Sequence, residues 1–153
     1  MKQFNETGAF GCGGDDVRYT ANASRDGGFG IFQLTDPKPL AQHLWSWKEN
    51  CAEGVRQLAA AQRYAELWME KQRQEMLDEG FEVPVPPVTY GGVTFAEGSG
   101  RRIEHAVALK RYNGASSGNF CVWDSATKQW RLNPKNNLGF NYVERVCNEV
   151  PQE

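Results

Sequence analysis

From Leu44 to Met76 one set of positions recurs at intervals of three and four, through Trp47, Cys51, Val55, Leu58, Ala61, Ala65, Trp68 and Gln72. That is the period of one helix face. The opposite face carries Lys48, Glu49, Glu53, Arg56, Arg63 and Glu70, as a solvated face should. The pattern predicts a long amphipathic helix with its apolar stripe in a core. Gly54 weakens the middle, so a bend into two helices stays open, and Gly80 is the expected stop. Beyond it, "FEVPVPPVTYGGVTFAEGSG" (81–100) cannot be helical, because three prolines and a Gly-Gly pair interrupt it. It reads as an inserted extended arm with a short hairpin through Val88–Tyr90 and Val93–Phe95.

Helical spacing returns from Arg101 to Tyr112, with Ile103, Ala106, Val107 and Lys110 on one side, until "YNGASSGN" breaks it. "FCVWDSATKQWRLN" suits two short strands around the turn "DSATK". The end, Asn141 to Val150, reads as a closing helix through Tyr142, Val143, Val146 and Val150. The first forty residues are loop-rich, with "GCGGDD" and "ANASRDGG". The expected fold class is therefore α+β and mainly helical. It is one domain over residues 1–153, with Gly-rich loops, the inserted arm and a small β element.

Composition narrows the classes. With 153 residues and 12% aromatics, the chain can bury a core. Its net charge of −2 provides no field for nucleic acid or acidic lipid. No apolar run is long enough to span a bilayer. The start, "MKQFNETGAF", lacks the apolar stretch of a signal peptide, so the expectation is export by another route, or a mature or excised portion. Cys12, Cys51, Cys121 and Cys147 are an even number with no C-x-x-C, and His43 and His105 add poor zinc spacing. Two disulfides in an oxidising compartment are expected, Cys51 with Cys147 and Cys12 with Cys121 being the preferred pairing. Four buried thiols are the alternative.

The stretch "DGGFGIFQLTDP" (26–37) opens with glycines and then places a carboxamide, Gln33, inside an apolar run. A phosphate loop is excluded by context, because a polar loop precedes it and Asp36-Pro37 ends it in a turn. The glycines serve close backbone approach or left-handed turns. Gln33 is either satisfied by backbone or aimed at a ligand.

Three blocks, "GFGIFQLT", "RYNGA" and "NYVERV", resemble in their order the lysozyme-like superfamily, nearest to goose-type lysozymes and bacterial soluble lytic transglycosylases. "LWSWKENCAEGVRQL" is similar to the W-x-W-K-x-N-x-x-x-G helix that follows the glutamine block in bacterial members. The resemblance covers residues 27–150 apart from the arm. It implies that Gln33 points its amide at an N-acetyl sugar, whose acetamido group both donates and accepts. It also implies that Tyr112 and Asn113 stand beside the catalytic carboxyl. Their alternatives are ring packing at a helix end and a helix C-cap. "Y-N-G-A" departs from the family's "Y-N-A-G" by exchanging the small residues. Trp45, Trp47 and Trp68 are expected in the core. Phe29, Trp123 and Trp130 are the sugar-stacking candidates, with core packing the stronger single reading for each.

The resemblance also requires a glutamate at a helix end shortly before the Gly–Gln block, its pKa raised for proton donation. Glu6 in "NETG" is the candidate, although only five residues precede it. The alternative is a glutamate upstream of "MKQFN". Asp26 and Asp36 flank the block, and Thr35 stands where goose-type enzymes place Asp, which leans toward lytic transglycosylase chemistry. The implied activity is cleavage of the β-1,4 bond between N-acetylmuramic acid and N-acetylglucosamine in peptidoglycan. No cofactor is implied. Wall remodelling, a phage lysin or a secreted antibacterial effector with an immunity or inhibitor protein would all use such a domain, in the periplasm or outside. Rival readings are a non-catalytic glycan-binding module and an interaction domain that docks a partner on "VPVPP".

Overall fold

The structure is a computed structural model, and it describes residues 28–30, 32–115, 117–132 and 142–148. Glu6, Cys12 and Asp26 lie outside the described residues. The described chain is α+β and mainly helical, with two small antiparallel sheets. It divides into two compact units, residues 1–57 and 58–153.

In the first unit a tight turn through Gly30–Gln33 is closed by a bridge between Phe29 and Leu34. Helix α1 (Ala41–Trp45) follows, and α2 (Trp47–Asp78) begins after a break at Ser46. The break into two helices that Gly54 left open does not occur, since α2 runs through it as one helix. It ends where Gly80, at φ +80°, turns left-handed: Gly80 N–H donates to Leu77 O and Phe81 N–H to Met76 O. Those two bonds satisfy the last carbonyls of the helix.

The second unit contains the rest of α2, the hairpin β1 (Val88–Tyr90) and β2 (Val93–Phe95), and α3 (Ile103–Tyr112). A 3₁₀ turn (Ser117–Asn119), the hairpin β3 (Val122–Asp124) and β4 (Gln129–Arg131), and α4 (Tyr142–Asn148) complete it. Its core joins Ala65, Met69 and Met76 of α2 to Ile103, Ala106 and Val107 of α3, Tyr90 and Phe95 of the arm, and Val143 of α4. Trp123 and Trp130 belong to this core, 5% and 8% exposed and edge to face at 5.7 Å. Neither is placed to stack on a sugar, because each ring is spent on packing. Trp68 is partly buried, packs edge to face on Phe120 and donates its indole N–H to Cys121 O at 2.8 Å.

The buried stripe of α2 differs from the one its apolar pattern predicts. Trp47 and Val55 are more than half exposed, and Leu58 is 36% exposed. Asn50, Gly54, Ala61, Ala65, Met69, Gln72 and Met76 carry the buried face instead, rotated by one residue along the first half of the helix. The reason is what they meet. Asn50 and Gly54 face a backbone turn, which demands hydrogen bonds and close approach rather than apolar side chains. Gln72 presents Oε1 to the backbone N–H of Trp123 at 2.9 Å, which explains an amide in the stripe.

The disulfide expectation is also corrected. Cys51, Cys121 and Cys147 are free thiols, so neither Cys51–Cys147 nor a bridge from Cys121 is formed. Cys121 and Cys147 act as small apolar core residues, and burial pushes the Cys121 thiol up to about 12. The Pro-rich arm is bound to the unit by its backbone. Val85 N–H donates to Glu97 Oε2, and Val83 O accepts from the Trp130 indole at 2.8 Å. Arg73 clasps both Glu97 and the buried Glu104, at 2.8 and 3.0 Å.

Candidate functional site

The turn that bears Gln33 is built around one side chain. Phe29 N–H donates to Leu34 O at 3.1 Å, and Leu34 N–H to Phe29 O at 3.0 Å, closing a miniature hairpin. Asn50, fully buried on α2, fills its concave side. Its Nδ2 donates to Phe29 O (3.1 Å) and to His43 O (3.3 Å), while Oδ1 accepts the Phe32 N–H at 3.3 Å. One amide thus ties both limbs of the turn and the α1 backbone to α2. Gly30, at φ +75°, lies so close that a Cβ there would fall 2.4 Å from Asn50 Nδ2. Gly54, one helical turn beyond Asn50, leaves room for the Phe32 ring. The glycine–glutamine block and the W-x-W-K-x-N-x-x-x-G helix therefore form one packed device, joined through Asn50 and Gly54.

Gln33 closes the turn at φ +50°, a left-handed conformation that non-glycine residues adopt at a cost. Its backbone N–H and its side-chain Nε2 both donate to Gly30 O, at 3.2 and 2.7 Å. Half of the amide is thereby satisfied by backbone, as the simpler reading of Gln33 expects. Among the described residues Oε1 accepts no hydrogen bond, and the side chain is only half-buried. The amide is thus oriented, with its Oε1 acceptor open among the described residues. Phe29 is half-buried beside it in sequence, its carbonyl held by Asn50. Asp36 and Thr35 are exposed, and Thr35 Oγ1 donates to Gln33 O at 2.9 Å.

Tyr112 and Asn113 belong to the second unit, at the end of α3. Asn113 is the C-cap, and its N–H donates to Leu109 O. Gly114 then turns left-handed at φ +76°, and Ala115 N–H reaches back to Lys110 O at 3.0 Å. This explains the order "N-G-A" in the block: the position after the cap needs positive φ, and the next one is buried. Tyr112 is half-buried, and burial raises its phenol to about 12, with Tyr142 of α4 adding to the rise. The helices that carry "RYNGA" and "NYVERV", α3 and α4, pack against each other. Burial likewise raises Tyr142.

Carboxyls are equally informative. Glu53, Glu66, Glu79 and Asp124 are all held below the usual carboxylate range by hydrogen bonds. None of these four can hold a proton for donation near neutral pH. Among the described residues no group of three His, Cys, Asp or Glu is arranged for a metal.

Lys110 is a buried ionisable group that sequence reading placed only on a helix side. It is 2% exposed and lies 5.4 Å from the Tyr90 ring centroid. With Val88, Ile103, Cys121 and Leu132 it lines a small recess, and burial lowers its amine to about 8. Asn50, too, escaped notice as a site residue. Its signal was present as the lone uncharged amide between charged residues and the helix glycine Gly54.

In comparisons with known proteins, no family model, curated protein or solved structure matches the chain.

Proposed function

We propose that this is a lysozyme-like domain that cleaves the β-1,4 bond between N-acetylmuramic acid and N-acetylglucosamine in peptidoglycan. The observation that supports the reading is the Asn50-centred turn, which joins the glycine–glutamine block to the W-x-W-K-x-N-x-x-x-G helix and leaves Gln33 Oε1 without a partner among the described residues. In this reading Gln33 binds an acetamido group and Phe29 packs on the sugar. Tyr112 and Asn113 flank the proton donor, which is assigned to Glu6. Glu53, Glu66, Glu79 and Asp124, held low by their hydrogen bonds, are poor proton donors; a glutamate upstream of "MKQFN" is the alternative to Glu6. Thr35 in place of a second carboxylate favours lytic transglycosylase chemistry, in which the muramyl 6-hydroxyl displaces the leaving group. Action on the wall places the protein in the periplasm or outside. As an antibacterial effector, it would have an immunity protein as partner.

Clearing of a purified peptidoglycan suspension tests the reading. Glu6→Gln should abolish clearing, and Gln33→Ala should slow it about tenfold or more, the worth of one lost hydrogen bond to substrate, without a change in melting temperature. Binding of N-acetylglucosamine oligomers without clearing would instead establish a non-catalytic glycan module. Neither clearing nor binding would refute the proposal.

A further inference from the structure

We infer that Asn50 is the positioning residue that sets the direction of Gln33, and that the turn cannot present Gln33 without it. The importance of Gln33 rests on the reading above, but its positioning does not. Three observations carry the inference. Asn50 is 0% exposed, yet it is a polar residue on a helix face that apolar side chains would normally fill. Its three side-chain hydrogen bonds go to backbone outside its own helix, two of them to opposite limbs of the turn. Gly30, on the turn, comes so close that any side chain there would overlap the Asn50 amide.

The coupling to Gln33 runs through the Gly30 carbonyl. Asn50 fixes Phe29 O and Phe32 N–H, and these bracket the Gly30 peptide. Gly30 O then receives both the backbone N–H and the Nε2 of Gln33. The left-handed backbone at Gln33 is costly and persists only where its surroundings over-determine it. Removing the Asn50 amide leaves the half-buried Phe32 N–H without its acceptor, takes one of the two donors from Phe29 O and one from the buried His43 carbonyl, so the turn relaxes and Gln33 loses its orientation. Asn50 touches no substrate in this scheme. It acts through the turn.

The test uses the full chain and two independent readouts. The first is the side-chain NH2 resonance pair of Gln33 in a ¹⁵N–¹H spectrum, assigned by its loss in Gln33→Ala. In Asn50→Ala the pair should move to the position of a solvated amide, while the indole resonances of Trp123 and Trp130 stay in place. Gly30→Ala, which crowds Asn50 from the opposite side, should move it likewise. The isosteric Asn50→Asp, which keeps the acceptor for Phe32 and loses both donors, should give an intermediate shift. The second readout is binding of an N-acetylglucosamine tetramer. Asn50→Ala should weaken it about tenfold, and the double variant with Gln33→Ala should bind no worse than Gln33→Ala alone.

An unmoved Gln33 pair in any folded variant overturns the inference. So does loss of the Trp123 and Trp130 resonances in all three, which would make Asn50 a general folding residue. Additive losses in the double variant would also overturn it. If the parent chain binds no tetramer, the functional reading fails, and the Gln33 resonances alone decide the role of Asn50.

Discussion

Gly54→Ala separates what the helix wants from what the turn needs. By helix propensity alone, alanine at an interior position of α2 should stabilise the helix by about 1 kcal/mol. The structure reverses the sign. A Cβ on Gly54 would fall 2.0 Å from Phe32 Cγ and 2.4 Å from Phe32 Cβ. Carbon atoms rest about 3.5–4.0 Å apart, so the ring must retreat by more than about 1 Å. Since the near end of the side chain is struck, ring rotation cannot relieve the overlap, and the Phe29–Leu34 turn must lift with it. Overpacking of this kind costs about 1–3 kcal/mol, which leaves a net loss of about 1 kcal/mol after the propensity gain.

Native-state hydrogen exchange reads the loss at the place where it occurs. The Phe32 and Leu34 amides, bonded to Asn50 Oδ1 and Phe29 O, should exchange about fivefold faster in Gly54→Ala. A second background isolates the cause. In Phe32→Gly, which removes the struck side chain, Gly54→Ala should slow exchange of the neighbouring α2 amides instead, and the opposite signs define a coupling of about 2 kcal/mol. If Gly54→Ala has the same sign in both backgrounds, the turn does not rest on Gly54 and the account of the packed device fails.

Three further outcomes are expected. Arg73→Met keeps the stem packing but strips the guanidinium from Glu97 and Glu104; because Arg73 is about one-third exposed, the cost is discounted to about 2 kcal/mol, and faster exchange of the Val85 amide should accompany it. Hydrogen bonds from Ser125, Trp123 and Lys128 hold the Glu79 carboxyl down to about 2, so its contribution is fully present above the unfolded value near 4.3 and is lost as pH falls toward 2; a wild-type melting temperature that fails to drop more steeply than that of Glu79→Gln in this window would contradict it. Burial holds the folded Lys110 amine near 8 against about 10.4 unfolded, so Lys110 contributes stability that rises with pH between 8 and 10, while the buried Cys121 thiol, held at about 12, contributes a loss over the same window; the melting temperature of Lys110→Met should therefore fall more steeply with pH from 8 to 10 than that of the wild type, and equal slopes would contradict it.

Elements whose boundaries are set by local chemistry were legible. Gly91 and Gly92, at φ +54° and +80°, supply the left-handed pair of a two-residue hairpin, so Val88–Tyr90 and Val93–Phe95 could be placed from the sequence. Gly80 stopped α2 for the same reason, and the "DSATK" turn holds because Asp124 Oδ1 accepts the Ala126 and Thr127 N–H groups. The closing helix and the mainly helical α+β class followed from periodicity.

What periodicity could not give is the choice of face. An apolar stripe identifies the buried side of a helix only when its neighbour is made of side chains. At Asn50 and Gly54 the neighbour is a strained turn of backbone, whose carbonyls and N–H groups must be paired and approached closely. A polar amide and an absent side chain are then the buried residues, and Trp47 and Val55 are left outside. At Trp123 and Trp130 the core-packing reading holds over sugar stacking: each indole N–H finds an acceptor, Glu79 and Val83 O, which allows the ring to be buried whole. The same logic explains why Gln33 was visible and Asn50 was not. Gln33 interrupts an apolar run and so stands out, whereas Asn50 sits among charged residues on what reads as a polar helix start, and only its remote partners reveal it.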